Sequence, residues 1–314
     1  MAHPQPSFDP GLTQQYTGAL SRTINDDGQF NVHRRGARLH DFHPYLFLIS
    51  TRLPVFVGLV LGAFIVTNLF FATIYMVLGP EHIKGVESSN LEGEFVNAFF
   101  FSAHTLTTVG YGNMYPVGVA ANSISAIEAL TGLMLFAIVT GLVFGRFSRP
   151  SARVGFSSHM LVAPYGDGLS LQFRIVNRRS NNLLELNARV MLMTVEWVEG
   201  QLRRKFRLLD LERDQVIFFP LTWTIVHPIG PDSPLYQKTA ADLASMQAEI
   251  LVFVKAFDET FGQTVNSRRS YRHSELVWGA RFTPAFEIDP NGDLRLEMEN
   301  VGSFERVELP QLVN

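Results

Sequence analysis

Thr107-Thr108-Val109-Gly110-Tyr111-Gly112 lies between two long apolar runs, the 25-residue uncharged stretch from Pro54 to Leu78 and the stretch from Val117 to Phe144. Two spans therefore flank a short loop that contains glycine. A loop at membrane depth persists only where its backbone is buried in protein or lines a wet cavity, because an unpaired amide in hydrocarbon costs several kcal/mol. The loop's carbonyls must have a use of their own. Gly110 and Gly112 can take the φ > 0 values that turn successive carbonyls to one side, and Thr108 can add a hydroxyl oxygen. The bland alternative is a Gly-Tyr-Gly turn in an ordinary loop.

Thr108-Val109-Gly110-Tyr111-Gly112, ending a short amphipathic segment, resembles the selectivity filter of potassium channels, in which four copies of the loop aim carbonyl oxygens at a dehydrated cation. A specific pentamer arises by chance on the order of once in ten thousand chains of this length, before its place between two spans is counted. The resemblance implies K⁺ bound by Thr108, Val109, Gly110 and Tyr111, with no other cofactor. It also implies a homotetramer.

Composition suits a chain that is only partly in lipid. Its 314 residues are enough for two domains, 46% are hydrophobic and 26 are Phe, yet the mean hydropathy is only +0.11. A formal net charge of -3 leaves no nucleic-acid footprint, and the absence of cysteine excludes disulfides and thiolate metal sites. The first 30 residues lack a basic start followed by an apolar core, so no cleavable signal peptide is expected.

Residues 1 to about 40, rich in Pro, Gly and polar side chains, read as a mobile N-terminal tail. From Asp41 to Arg52 a compact amphipathic segment is predicted to be an interfacial slide helix, with Asp41 as its cap and Pro44 in its first turn. The alternative is the ragged start of the first span. Pro54 to Leu78, at about 1.5 Å per residue, is roughly 37 Å long and spans with some tilt. Gly79-Pro80 ends it, and an acidic loop with Glu81, Glu87, Glu92 and Glu94 follows. Arginines cluster before the first span and after the second, at Arg146, Arg149 and Arg153. The positive-inside rule therefore puts both termini in the cytoplasm of a chain set in the cell's inner (plasma) membrane.

Glu94 to Thr107 is too short to cross alone and suits a re-entrant pore helix whose negative end faces the ion path. The second span, expected over 117–147, carries one charge within Val117–Phe144, Glu128, placed behind the filter where it can accept hydrogen bonds, the alternative being a protonated, merely tolerated Glu near the outer interface. Gly132 and Gly141 permit either a hinge or close helix approach. Phe144 near the inner end would by itself be read as a lipid contact; the resemblance implies that four inner helices converge there, where a ring of Phe144 suits a gate that closes by dewetting.

Past Phe144 the resemblance narrows. Gly145-Arg146-Phe147-Ser148-Arg149-Pro150, Thr224-Ile-Val-His-Pro-Ile-Gly-Pro-Asp-Ser-Pro-Leu-Tyr236 and Glu275-Leu-Val-Trp-Gly279 are similar to stretches of inward-rectifier potassium channels, especially bacterial members, and the likeness runs from about Asp41 to Phe286. Read alone, residues 151–314 show short alternating runs separated by turn signals, at Leu169–Val176, Asn187–Val195, Gln215–Pro220, Glu249–Val254, Leu276–Phe282 and Leu294–Met298. They predict an antiparallel β-sandwich, with a short helix in Ala240–Ala248. The family's cytoplasmic domain is an immunoglobulin-like sandwich, so the fold class expected is a multi-domain membrane protein, an all-α pore followed by a β-sandwich.

Residue by residue, the family pattern has departures here. Its eukaryotic members place a Glu where His104 stands and an Arg where Met114 stands; without that brace, filter support falls to Thr107, His104, Met114 and Glu128, and His104 could confer pH sensitivity. The cavity position that carries an Asp or Asn in strong rectifiers is Phe136, and of two cytoplasmic-pore acids Glu185 is present while the second falls on Lys255. Weak rectification and weak block by Mg²⁺ or polyamines follow, whereas Ba²⁺ would block an intact filter. Arg52, Arg149 and Arg153, with His43, sit where anionic lipid headgroups would meet the chain. No metal-ligand spacing, nucleophile elbow or phosphate loop is present, so an enzyme is not expected. The alternatives kept are a weakly selective cation channel of the same architecture and a non-conducting membrane-anchored sandwich that binds a partner.

Overall fold

A computed structural model describes residues 10–18, 21–33, 35–36, 42–85, 90–149 and 152–310. By its contacts the chain divides into Arg34–Arg149 and a second unit that joins Met1–His33 to Pro150–Asn314.

The first unit is helical. α1 (Pro44–Ser50) opens on Pro44, whose fixed φ suits a first turn, and has no buried residue. Asp41, the expected cap, lies outside the described residues; His43 occupies the N-cap position and makes no side-chain cap. α2 (Leu53–Leu78) runs for 26 residues and ends where Gly79, at φ 116°, donates its N–H to Tyr75 O. Ile83–Lys84 (β1) then pairs antiparallel with Tyr115–Pro116 (β2), closing the chain around α3 (Leu91–Leu106). Asn90 caps α3 by accepting from Gly93 N at 2.9 Å, so this helix begins one turn before the expected Glu94. α4 (Gly118–Phe147) is 30 residues long. α2 and α4, with mean hydropathies of 2.4 and 2.1, are both long and apolar enough to cross a membrane. Phe71, Ala72, Tyr75, Ile83, Ala98 and Phe101 form the buried core of this unit. Leu61, Val66 and Phe70 on α2 and Leu130, Leu133 and Ile138 on α4 stay exposed, apolar surface that needs lipid or further copies to cover it.

The second unit is a sandwich. β3 (Val154–Phe156), β4 (Met160–Tyr165), β5 (Gly168–Asn177), β9 (Thr222–Ile229) and β12 (Leu276–Trp278) form one five-stranded sheet. β6 (Leu183–Val198), β7 (Gln201–Leu209), β8 (Gln215–Phe218), β10 (Glu249–Asp258) and β11 (Gln263–Arg272) form the other. Strand alternation places Ile250, Val252, Val254 and Ala256 of β10 inward, and they share one core with Phe173, Ile175 and Ile225 of the facing sheet. The short helix α5 (Ala240–Ser245) carries a reciprocal cap between Thr239 and Asp242. One pairing departs from the antiparallel expectation: β12 runs parallel to β4, reached by the β11 strand and a 3₁₀ turn rather than by a hairpin.

The N-terminal segment also departs from expectation. Residues 21–33 are not an unattached tail. Ile24 is 4% exposed and packs with Met193, Phe206 and Leu251. Arg22 reaches both oxygens of Glu275 at 2.7 and 2.6 Å, and Thr23 donates twice to the buried Glu249, at 2.9 and 2.6 Å. A turn at Gly28 folds Phe30 back to bridge Ile24.

Candidate functional site

The loop after α3 is built by alternation of backbone hand. Thr108, Gly110 and Gly112 have φ of 58°, 54° and 80°, while Val109 and Tyr111 between them lie outside the left-handed region. Such alternation turns successive N–H groups to one side and the carbonyls to the other. The N–H side is occupied: Thr107 N donates to Ala103 O at 3.1 Å, Thr108 N to Thr105 O at 3.0 Å, and Val109 and Gly110 N both to His104 O at 3.0 and 3.3 Å. The carbonyls of Ala103, His104 and Thr105, which a helix end leaves orphaned, are thereby satisfied by the residues that follow α3. Among the described residues none donates to the carbonyls of 108–112. The glycines behave as the sequence suggests; the left-handed Thr108 is an addition, since a β-branched residue rarely adopts that conformation.

Of the side chains expected to support this loop, Thr107 turns back to donate its hydroxyl to Ala103 O at 2.6 Å. The His104 ring meets the Tyr111 ring edge-on, with centroids 4.9 Å apart. Met114 packs against the helical core instead. Glu128, fully buried, is held by Tyr75 of α2, whose hydroxyl donates to Oε2 at 2.7 Å, and by the Ser102 hydroxyl of α3 at Oε1. Ser102 Oγ also lies 3.1 Å from Asn68 Oδ1, and Asn68 Nδ2 donates to Phe64 O at 2.7 Å. One polar cluster thus joins α2, α3 and α4. Gly132 of α4 faces the end of α3 so closely that a Cβ there would fall 1.8 Å from Leu106 O, whereas Gly141 has nothing within 4 Å.

Phe136 and Phe144 are 71% and 72% exposed on the single chain. Arg52, at the N-cap of α2, and Arg149 belong to the helical unit. Arg153 lines a recess of about 720 Å³ in the other unit, together with Arg178 and Ser158. Glu185, at φ 50°, sits in a bulge of β6 beside the pairing of Lys255 with Asn187, and Glu185 and Lys255 are both exposed. Among the described residues no group of His, Asp or Glu side chains is arranged to hold a metal ion.

A family model described as the inward rectifier potassium channel C-terminal domain matches residues 154–314, and one described as ion channel matches residues 62–149. The chain is 35% identical to the inward rectifier potassium channel Kirbac3.1 of Paramagnetospirillum magnetotacticum, over 91% of this chain and 95% of that one. The chain belongs to the inward rectifier potassium channel family. It is also 28% identical to the G protein-activated inward rectifier potassium channel 2 of Rattus norvegicus, over 94% of this chain and 76% of that one. To the G protein-activated inward rectifier potassium channel 3 of Homo sapiens it is 28% identical, over 99% and 84%. The inward rectifiers are ion channels and not an enzyme family, and K⁺ is the ion they pass.

Sequence reading missed four residues of this inward rectifier that the structure draws into the helical unit. Tyr75, Ser102 and Asn68 complete the Glu128 cluster. Arg146 donates to Leu48 O at 2.6 Å and Thr51 O at 2.7 Å while lying over the Phe56 ring, which ties the end of α4 to the α1–α2 turn. Asn68 and Tyr75 carried a signal, as polar groups inside an otherwise apolar span. Arg146 gives no such signal, since its charge is one of several arginines past the second span.

Proposed function

We propose that four copies of this chain form a K⁺-selective pore in which the carbonyls of Thr108, Val109, Gly110 and Tyr111, with the Thr108 hydroxyl, replace the hydration shell of K⁺. The observation that carries this reading is the one-sided loop: the N–H groups of Thr108, Val109 and Gly110 are spent on α3, and the carbonyls are left for an ion. His104, edge-on to Tyr111, and Thr107, tied back to Ala103 O, brace that loop directly, while Glu128 fixes α3 behind it through Ser102. Phe144 closes the inner mouth, Gly132 sets the approach of α4 to α3, and Gly141 provides the freedom to bend. Both termini are cytoplasmic, and Arg52, Arg149 and Arg153 meet anionic headgroups that bias the gate. Phe136 in the cavity and Lys255 beside Glu185 in the cytoplasmic passage make block by polyamines or Mg²⁺ weak, hence weak rectification.

The test is ⁸⁶Rb⁺ uptake into liposomes holding the full chain under an outward K⁺ gradient. Uptake blocked by external Ba²⁺ and undiminished by excess Na⁺ is expected. Uptake that Na⁺ competes away means a weakly selective cation pore, and no Ba²⁺-sensitive uptake under any pH or lipid composition means a chain that does not conduct.

A further inference from the structure

The N-terminal arm does not cover the whole sheet face on which it lies. Between Pro10, Leu12, Ile24 and Phe30 of the arm and Met191, Leu251 and Phe253 of β6 and β10 a recess of about 400 Å³ remains, within the range of small-molecule sites. Its walls are apolar, and its charges are of one sign. Arg189 and Arg268 both flank Phe253 in register, one on each neighbouring strand. Arg268 lies over the Phe30 ring at 5.1 Å. Among the described residues no carboxylate lies within 4 Å of either guanidinium, although Arg22, Arg203 and Arg207 on the same unit all find acids. An apolar recess bordered by two cations without counter-ions has the chemistry to hold an acyl chain whose head is a carboxylate.

We propose that this recess is a binding site for a medium-chain fatty carboxylate, with the acyl chain against Ile24, Met191 and Leu251 and the head between Arg189 and Arg268. Strand alternation puts Phe253 and Leu251 on the same outward face as Lys255. If that face lines the cytoplasmic passage, as the functional reading above has it, the bound anion sits on the wall of the ion path.

Photolabelling decides the matter. The full chain in nanodiscs of neutral lipid is exposed to decanoate bearing a terminal diazirine, and labelled peptides are mapped by mass spectrometry. Label on the peptides that hold Met191 and Leu251, displaced by decanoate but not by decanol, is expected. Labelling there should fall about tenfold in Arg189→Ala/Arg268→Ala. It should also be lost in Met191→Trp, which fills the recess while keeping both charges. Equal labelling by an uncharged diazirine alcohol, labelling retained in the double arginine variant, or no label on these peptides because residues 1–9 or a second copy occupy the recess would each overturn the site. Rb⁺ flux measured with decanoate present separates the two claims: label in the recess without any change in flux leaves the site standing and removes it from the ion path.

Discussion

The Tyr75 hydroxyl donates to Glu128 Oε2 at 2.7 Å, linking α2 to α4 at a depth where Tyr75 is 1% exposed and Glu128 not at all. The other carboxylate oxygen takes Ser102, on the helix that carries the Thr108–Gly112 loop. A buried acceptor that loses its donor costs about 1–3 kcal/mol. Tyr75→Phe and Ser102→Ala are each expected to destabilise the solubilised full chain by about that amount, and a double-mutant cycle with Glu128→Gln should show coupling above about 0.5 kcal/mol. Additive effects in that cycle would show that the three side chains act separately.

Gly132 and Gly141 should part company. Gly132→Ala places a Cβ 1.8 Å from Leu106 O, and backbone cannot yield as a side chain does, so loss of assembly and of Rb⁺ flux is expected. Gly141→Ala meets nothing within 4 Å and gains about 1 kcal/mol of helix propensity. A drop in flux for the second variant, with stability raised, would assign Gly141 to bending.

Arg146 makes two hydrogen bonds to two carbonyls with one planar group. Lysine offers a single ammonium and does not reproduce that fork. Arg146→Lys should therefore raise hydrogen exchange in α1 nearly as much as Arg146→Ala does. Protection equal to the parent's in the lysine variant would mean that charge alone holds the turn.

The sandwich unit should lose stability in mild acid through His227. Burial pushes this imidazole below its usual value, against a smaller opposing pull from the Asp210 carbonyl, 2.5 Å from Nδ1. The unfolded chain then takes the proton first, near 6.5, and the folded chain only at lower pH, so stability falls as pH drops from 6.5. Thermal melts of the full chain between about pH 7 and 5 should show this slope, and His227→Gln should flatten it.

Adding acid to the proposed ion path should bring rectification. Phe136→Asp and Lys255→Glu are each expected to give steep voltage-dependent block by micromolar spermine in planar bilayers, and the parent shallow block. Steep block of the parent would refute the weak rectification inferred from these two positions.

The helical unit was legible because its signals are long and redundant. Leu53–Leu78 and Gly118–Phe147 fall within a residue of the expected spans, since an uncharged run beside Gly79-Pro80 leaves little choice of boundary. The N-terminal arm was not legible as a packed segment, having no period to read. Its one cue, Asn25-Asp26-Asp27-Gly28 between Ile24 and Phe30, is a hairpin turn signal that is weak without flanking alternation. Strands β3, β4, β7, β9 and β11 lie outside the expected runs; in β7, Gln-Leu-Arg-Arg-Lys-Phe-Arg-Leu-Leu, charged residues interrupt the apolar positions, and in β4 a short apolar run shows no alternation. Tyr75 and Asn68 stand out as polar groups in an apolar span, but their link to Glu128 is not legible, because nothing local in sequence sets which two helices a buried carboxylate will join.

Thr108 holds a left-handed backbone at φ 58°, a conformation that costs a β-branched residue roughly 1–2 kcal/mol. Glycine would adopt it freely and would bring no hydroxyl. A library of this chain sorted for heat resistance should accordingly enrich Thr108→Gly, and the same library sorted for potassium uptake should discard it. The two sorts would rank one substitution in opposite order.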